Sequence, residues 1–389
     1  MPSLPRVILV DPNDGCLTIA RRLARRGVAV TAVMTPSSAF VGHSRFVDGA
    51  VLTRLPEAAS DWVATLNELA GDGGGVLISG SDAAVELLCS RRSEIPAELV
   101  SFESEESAHL RVMDKAQLYE AARREGIRTP RAQSIRSPSD LDTVAASFDF
   151  PCVFKPALSH RARLVTGASN PALVHDADRL RREATPYLER GLEGLAVEYV
   201  PGPETRLEGA VTVRLRDGSF PLAYTRRKLR QYPPDFGAGS VLMAHTSPEM
   251  LAFARRLLDT VGFVGVSSVE AKRHAVSGEL VLIEVNTRIP QNFGLGDACD
   301  VDASWRLYSA LAGLPLTPQR VQRDGVSVLI PRYELRAARI RLSRGEVSWR
   351  KLLREYATVR DAGVLSLRDP RPGFALGREL LRRRSRARR

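Results

Sequence analysis

The stretch Ile283-Glu284-Val285-Asn286-Thr287-Arg288 follows the apolar pair Val281-Leu282 and sets a carboxylate, an amide and a guanidinium at alternate positions. Side chains two apart on a strand share a face, so Glu284 and Asn286 are predicted to project together, with Arg288 beside them if the strand continues. A second predicted strand, 264–272, carries Glu270 within Ser267-Ser268-Val269-Glu270-Ala271-Lys272, and a turn at Ser277-Gly278 joins it to the strand 280–285. An antiparallel pair built this way brings Glu270 across from Glu284. Two carboxylates and an amide on one face are the oxygen donors that magnesium takes together with nucleotide phosphates. The plainer reading is a strand pair showing polar residues to solvent. It fits poorly with Glu284 at the end of an apolar run.

Working outward, the chain reads as alternating strands and helices. Phe150-Pro151-Cys152-Val153-Phe154-Lys155-Pro156 is a short buried strand with a lysine near its end, and 196–200 is another, closed by Pro201-Gly202-Pro203. Strands at 210–215 and 220–225 are joined by Arg216-Asp217-Gly218-Ser219, a good hairpin turn. Residues 114–124 and 248–261 are predicted helices. In the basic segment that follows the hairpin, Lys228 and Arg230 alternate with Leu229, which predicts that both face a phosphate or a substrate carboxylate. A charged surface strand is the competing reading.

At the amino terminus, Arg6-Val7-Ile8-Leu9-Val10, a helix over 17–26 and a strand over 28–33 make a β-α-β unit. A third strand, Val76-Leu77-Ile78-Ser79, follows. These predict a small doubly wound α/β domain. Its first loop, Asp11-Pro12-Asn13-Asp14-Gly15, lacks G-x-G-x-x-G, which argues against a dinucleotide.

These landmarks, in this order, resemble the ATP-grasp superfamily, in particular its carboxylate–amine ligases and biotin carboxylases. Glu284-Val285-Asn286-Thr287-Arg288-Ile289 looks like the family's metal-binding strand, and Glu270 like its first metal carboxylate. The resemblance implies a metal set of Glu270, Glu284 and Asn286 for Mg2+ or Mn2+, and puts Arg288 at the reacting acyl group, with Lys228 and Arg230 as further catalytic candidates. Met113-Asp114-Lys115 resembles the opening of the ATP-grasp domain, and Val153-Phe154-Lys155-Pro156 its second nucleotide lysine. Val197-Glu198-Tyr199-Val200-Pro201-Gly202-Pro203-Glu204 resembles the hinge of D-alanine–D-alanine ligases. By that match Lys115 and Lys155 reach the ATP phosphates, Glu198, Tyr199 and Val200 frame adenine, and Glu204 holds the ribose. One segment departs from the pattern. Where many relatives carry a glycine-rich phosphate loop, residues 157–167 are basic with a single glycine, as in D-aspartate-ligase-like members, and Ser159, His160 and Arg161 are candidate substitutes.

The implied fold class is mixed α/β and α+β: a doubly wound domain at 1–108, a two-lobed ATP-grasp domain at 109–315 (lobes 109–196 and 197–315), and a C-terminal extension at 316–389. The implied activity is Mg-dependent ligation, in which ATP converts a carboxylate to an acyl phosphate and an amine displaces the phosphate. Two alternatives stand beside it: a carboxylase or carbamoyl-phosphate-type enzyme using bicarbonate, and a nucleotide-binding regulator without turnover. Expected partners are small carboxylate and amine substrates, with no specific nucleic acid. A homodimer is compatible with this reading.

Composition narrows the setting. The four cysteines, Cys16, Cys89, Cys152 and Cys299, form no C-x-x-C pair, which argues against a disulfide framework or a zinc site. No secretory signal or membrane-length apolar run is visible, so a cytoplasmic location is expected. Net charge is +11, and the last twelve residues alone carry seven Arg against Glu379. That tail reads as a frayed, solvated end.

Overall fold

The computed structural model describes residues 4–52, 59–71, 73–104, 107–166, 171–234 and 236–386. Gly167 of the basic loop and Asp235 lie outside the described residues. Three sheets organise the described chain.

The first sheet is parallel, with strands in the order Gly49–Leu52, Val30–Met34, Val7–Val10, Gly75–Ser79 and Leu99–Val100. Val7–Val10 and Gly75–Ser79 are buried throughout, as strands covered on both faces must be. Chain direction reverses across the sheet between these two strands, and their carboxyl ends flank the crevice that doubly wound sheets use for ligands. Asn13 caps the helix Asp14–Ala24 there, accepting from the amides of Gly15 and Cys16.

The second sheet is antiparallel, in the order Ala132–Ile135, Gly194–Glu198, Cys152–Pro156 and Ala172–Val174. Helices Pro138–Ser147 and Ala177–Leu188 close one face, where Cys152 and Phe154 join their core. Period-2 alternation then turns Val153 and Lys155 to the other face.

The third sheet has seven strands: Leu280–Asn286, Gly265–Arg273, Leu207–Arg214, Leu222–Tyr232, Ala238–Ala244, Ser327–Leu329 and Val359–Asp361. The two last strands come from the segment after residue 315, which is therefore woven into this sheet and is no appendage. Its helix Pro331–Ser343 packs on the strands Leu222–Tyr232 and Ala238–Ala244. The described residues end in a further helix, Arg371–Arg386, where the sequence suggested a frayed tail. The basic loop after Lys155 likewise contains a helix, Ser159–Thr166.

Candidate active site

Glu270 and Glu284 are directly opposed on neighbouring antiparallel strands, and Ser268 is opposed to Asn286. Like charges in this position repel unless cations intervene. Here Arg226 Nη2 lies 3.0 Å and Lys228 Nζ 2.8 Å from the two oxygens of Glu270. All three side chains are buried. Burial pushes the Glu270 carboxyl up, but Lys228 and Arg226 outweigh it and hold the group below the usual carboxylate range. Gly209 sits between Glu270 and Arg226 in the sheet, and a Cβ there would come 3.2 Å from the Arg226 guanidinium carbon. The glycine makes the room that the arginine occupies.

Along the neighbouring strand, the amide of Asn286 donates to Glu284 Oε1 (3.0 Å), and Arg288 Nη2 donates to Asn286 Oδ1 (3.3 Å). Arg288 Nε donates to Asp82 Oδ1 (3.0 Å), a residue of the first sheet's domain. The loop beyond Arg288 is pinned to the same domain. Ile289 N donates to Ser79 O (3.0 Å), and Asn13 Nδ2 donates to Ile289 O and Gly80 O (2.7 Å each). The strand Leu280–Asn286 thus runs into the crevice at the carboxyl ends of Val7–Val10 and Gly75–Ser79.

Lys155 enters from the second sheet. Desolvation, with Lys115 adding to it against the attraction of Glu284, lowers its pKa to about 8. Lys115 is the first residue of the helix Lys115–Arg124, which Asp114 caps. The hinge strand ends at Glu198, and Lys272 donates from across the cleft to Val200 O at 2.8 Å. Tyr199 and Phe236 meet edge to face there, with ring centroids 6.4 Å apart.

A cavity of about 650 Å³ unites these groups. Lys115, Lys155, Glu198, Tyr199, Val200, Lys228, Glu270, Glu284, Asn286 and Arg288 all line it. Two expected residues do not. Arg230 is buried on the other side of its strand, donating to Glu334 Oε1 (2.9 Å) and pairing with Glu355. The cause is a bulge between Lys228 and Arg230, where the register against the next strand shifts. One extra residue reverses the alternation, so Gln231 reaches the cavity in place of Arg230. Glu204 is the second: its carboxylate pairs with Arg341 of the helix Pro331–Ser343 at 2.9 Å, and it is not among the cavity's lining residues. Arg161 of the basic loop pairs with Glu86 and is not among the cavity's lining residues either.

Sequence reasoning passed over several lining residues. Lys272 stands two positions from Glu270, a spacing that gives it the same face, and Arg226 stands two before Lys228. Both signals were available. Asp82, Tyr333 and Arg336 come from distant segments and carried none.

By sequence, no family model and no curated protein matches the chain. Solved structures do match. An N5-carboxyaminoimidazole ribonucleotide synthetase bound to ADP superposes with TM-score 0.64 at 14% identity, over 83% of this chain and 81% of that one. The biotin carboxylase domain of Hydrogenobacter thermophilus 2-oxoglutarate carboxylase, with MgADP and bicarbonate, gives 0.64 at 15% identity over 83% and 73%. The fold is the ATP-grasp fold. An L-amino acid ligase from Bacillus licheniformis shares it, with TM-score 0.62 at 14% identity over 84% and 79% of the two chains.

Proposed function

We propose that this ATP-grasp chain is a ligase that uses ATP to phosphorylate a carboxylate and joins the resulting acyl group to an amine. The observation that carries the reading is the meeting, in one cavity between three sheets, of two lysines, a hinge strand, two opposed carboxylates with an amide, and an arginine. The structural neighbours solved with ADP or MgADP support the same assignment of the cavity to a nucleotide.

The chain's own groups divide the work. The hinge 198–200, under Tyr199 and Phe236, offers backbone groups and aromatic faces to a purine. Lys155 and Lys115 hold phosphate oxygens as point charges. Glu270, Glu284 and Asn286 are hard oxygen donors set side by side, and they fit Mg2+, which would neutralise phosphate charge when bound. Arg226 and Lys228, which take both oxygens of Glu270 here, keep it ionised; either one, released from its oxygen when an ion binds there, would turn toward the transferred phosphoryl group. Phosphoryl transfer asks little beyond such positioning and charge neutralisation. Arg288, held by Asp82, Ile289 and Asn286 at the cavity wall, is the cation assigned to the reacting acyl group. Filling of the cavity by nucleotide and substrates would exclude the water that hydrolyses an acyl phosphate.

The domain plan follows from the same reading: 1–108 forms one wall of the acceptor site, 109–315 grips the nucleotide, and 316–389 braces both. The test is phosphate release with Mg-ATP over a panel of amino acids and dipeptides. Amine-dependent release with an amide product supports the proposal. Release that depends on bicarbonate and needs no amine replaces it with a carboxylase, and nucleotide binding without any release replaces it with a regulator.

A further inference from the structure

The last 59 residues hold 18 Lys and Arg against six Asp and Glu, a larger excess than the whole chain's net +11. The same segment concentrates exposed apolar bulk. Trp349, Leu353, Leu365, Leu367, Phe374, Leu380 and Leu381 all stand out from the surface, with Trp349 67% and Phe374 71% exposed. Single exposed apolar residues need no explanation; a run of them inside one basic segment does.

The helix Arg371–Arg386 shows how they are arranged. Pro372, Ala375, Leu376 and Glu379 form its inward stripe, and Ala375 and Leu376 pack on the large core near the helix Ala39–His43. The outward stripe is Arg371, Phe374, Arg378, Leu381 and Arg382, all exposed. Helical spacing therefore interleaves large apolar side chains with arginines on the solvent face. Helix Trp349–Tyr356 is arranged differently: Leu352 is its buried contact, Trp349 and Leu353 extend the same apolar side into solvent, and Arg350, Lys351 and Arg354 take the other side. In the helix Arg371–Arg386 the core is served by a different stripe from the one that carries Phe374 and Leu381, so packing does not account for those two.

We propose that this C-terminal segment docks on an anionic lipid bilayer, with Phe374 and Leu381 of one helix and Trp349 and Leu353 of the other entering the headgroup region and the surrounding arginines meeting lipid phosphates. A bilayer interface accepts both kinds of side chain at once. Basic residues beside an anionic leaflet each add to the attraction near the surface. A polynucleotide matches the arginines but offers nothing to Leu353 and Leu381. Among the described residues no helix is long and apolar enough to cross a membrane, so the contact is peripheral.

The experiment is flotation of the full chain with vesicles of phosphatidylcholine alone and of phosphatidylcholine with 30% phosphatidylglycerol, at physiological salt. Binding to the anionic vesicles and not to the neutral ones is expected. Phe374→Glu with Trp349→Glu should lower the bound fraction at least tenfold while melting temperature and nucleotide binding stay as in wild type. Both positions are exposed, so the fold does not depend on them. An unchanged bound fraction in that double variant, or no binding to anionic vesicles, overturns the proposal. So does binding to duplex DNA or RNA at the same salt that the double variant leaves intact and that outcompetes the vesicles.

Discussion

Lys155 carries the most informative single ionisation in the cavity. Its folded pKa of about 8 lies below the ordinary lysine value, with desolvation the main cause and Lys115 adding to it. Above that pH the empty protein gives up the proton that the unfolded chain keeps, so this group's contribution to stability rises between about pH 8 and pH 10. Nucleotide binding works the other way, because phosphate oxygens favour the ammonium. We predict that ADP binding at pH 8.5 takes up most of one proton, measured by calorimetry in buffers of different ionisation enthalpy. Lys155→Met should bind without that uptake and with affinity lowered by about 2 kcal/mol, the scale for a hydrogen bond to a charged group. Equal uptake in both proteins would remove Lys155 from the phosphate site. Glu284 gives the companion test. Glu284→Gln keeps the shape and the Asn286 contact but loses a charge from the donor set, so phosphate release should vanish with melting little changed. Normal release would exclude Glu284 from the metal set.

At the scale of elements, the strand Leu222–Tyr232 shows what was legible in the sequence and what was not. The strands that carry Glu270, Glu284 and Lys155 were readable because period-2 alternation and turn residues are local signals, but the turn alone would set Glu270 against Ile283, and a bulge there shifts the register by one residue so that Glu284 stands opposite. The bulge beside Leu229 depends on how the next strand and the helix Pro331–Ser343 pack, and nothing in Lys228-Leu229-Arg230 announces it. The pairing of Ser327–Leu329 and Val359–Asp361 at the sheet edge was hidden for the same reason, since short strands far along the chain are chosen by tertiary contacts. The bulge makes adjacent basic residues behave differently, and that is measurable. Arg230→Ala leaves Glu334 and Glu355 without their buried partner and should cost about 3–5 kcal/mol of stability, with turnover near normal in the folded fraction. Lys228→Ala faces the cavity and should lose turnover by at least about a hundredfold, the scale for a donor aimed at developing charge. Thermal melts with kinetics on both variants decide it. Equal turnover losses would mean that Arg230 reaches the substrate after all.

Across the whole molecule, the C-terminal segment ties the parts together. Arg332 pairs with Asp14 of the first domain, Glu334 with Arg230 of the central sheet, and Arg341 with Glu204 beside the hinge, all from one helix. Asp369 adds a buried pair with Arg21 at 2.8 Å. The first domain in turn fixes the loop that carries Arg288, and Gly15 is where that contact is tightest. A Cβ on Gly15 would lie 2.2 Å from Pro290 O and 2.9 Å from Ile289 Cγ2, so the helix and the loop cannot both keep their places. The loop has little freedom to yield sideways, being held through Ile289 by Ser79 and Asn13. Gly15→Ala should therefore move Arg288 together with its contact to Asp82. Displacements of about 1 Å in a positioning group are enough to cost on the order of a hundredfold in rate. The lysines, the hinge and the opposed carboxylates sit on other elements and should stay in place. The expected result is a loss of turnover of at least about tenfold with ADP affinity unchanged, and a stability loss of about 1–3 kcal/mol from the overpacking. Turnover and nucleotide affinity falling together would point to general loosening of the fold. Full turnover in a destabilised but folded Gly15→Ala protein would show that the first domain does not set the position of Arg288, and the acyl-site role would then pass to Lys228 and Arg226.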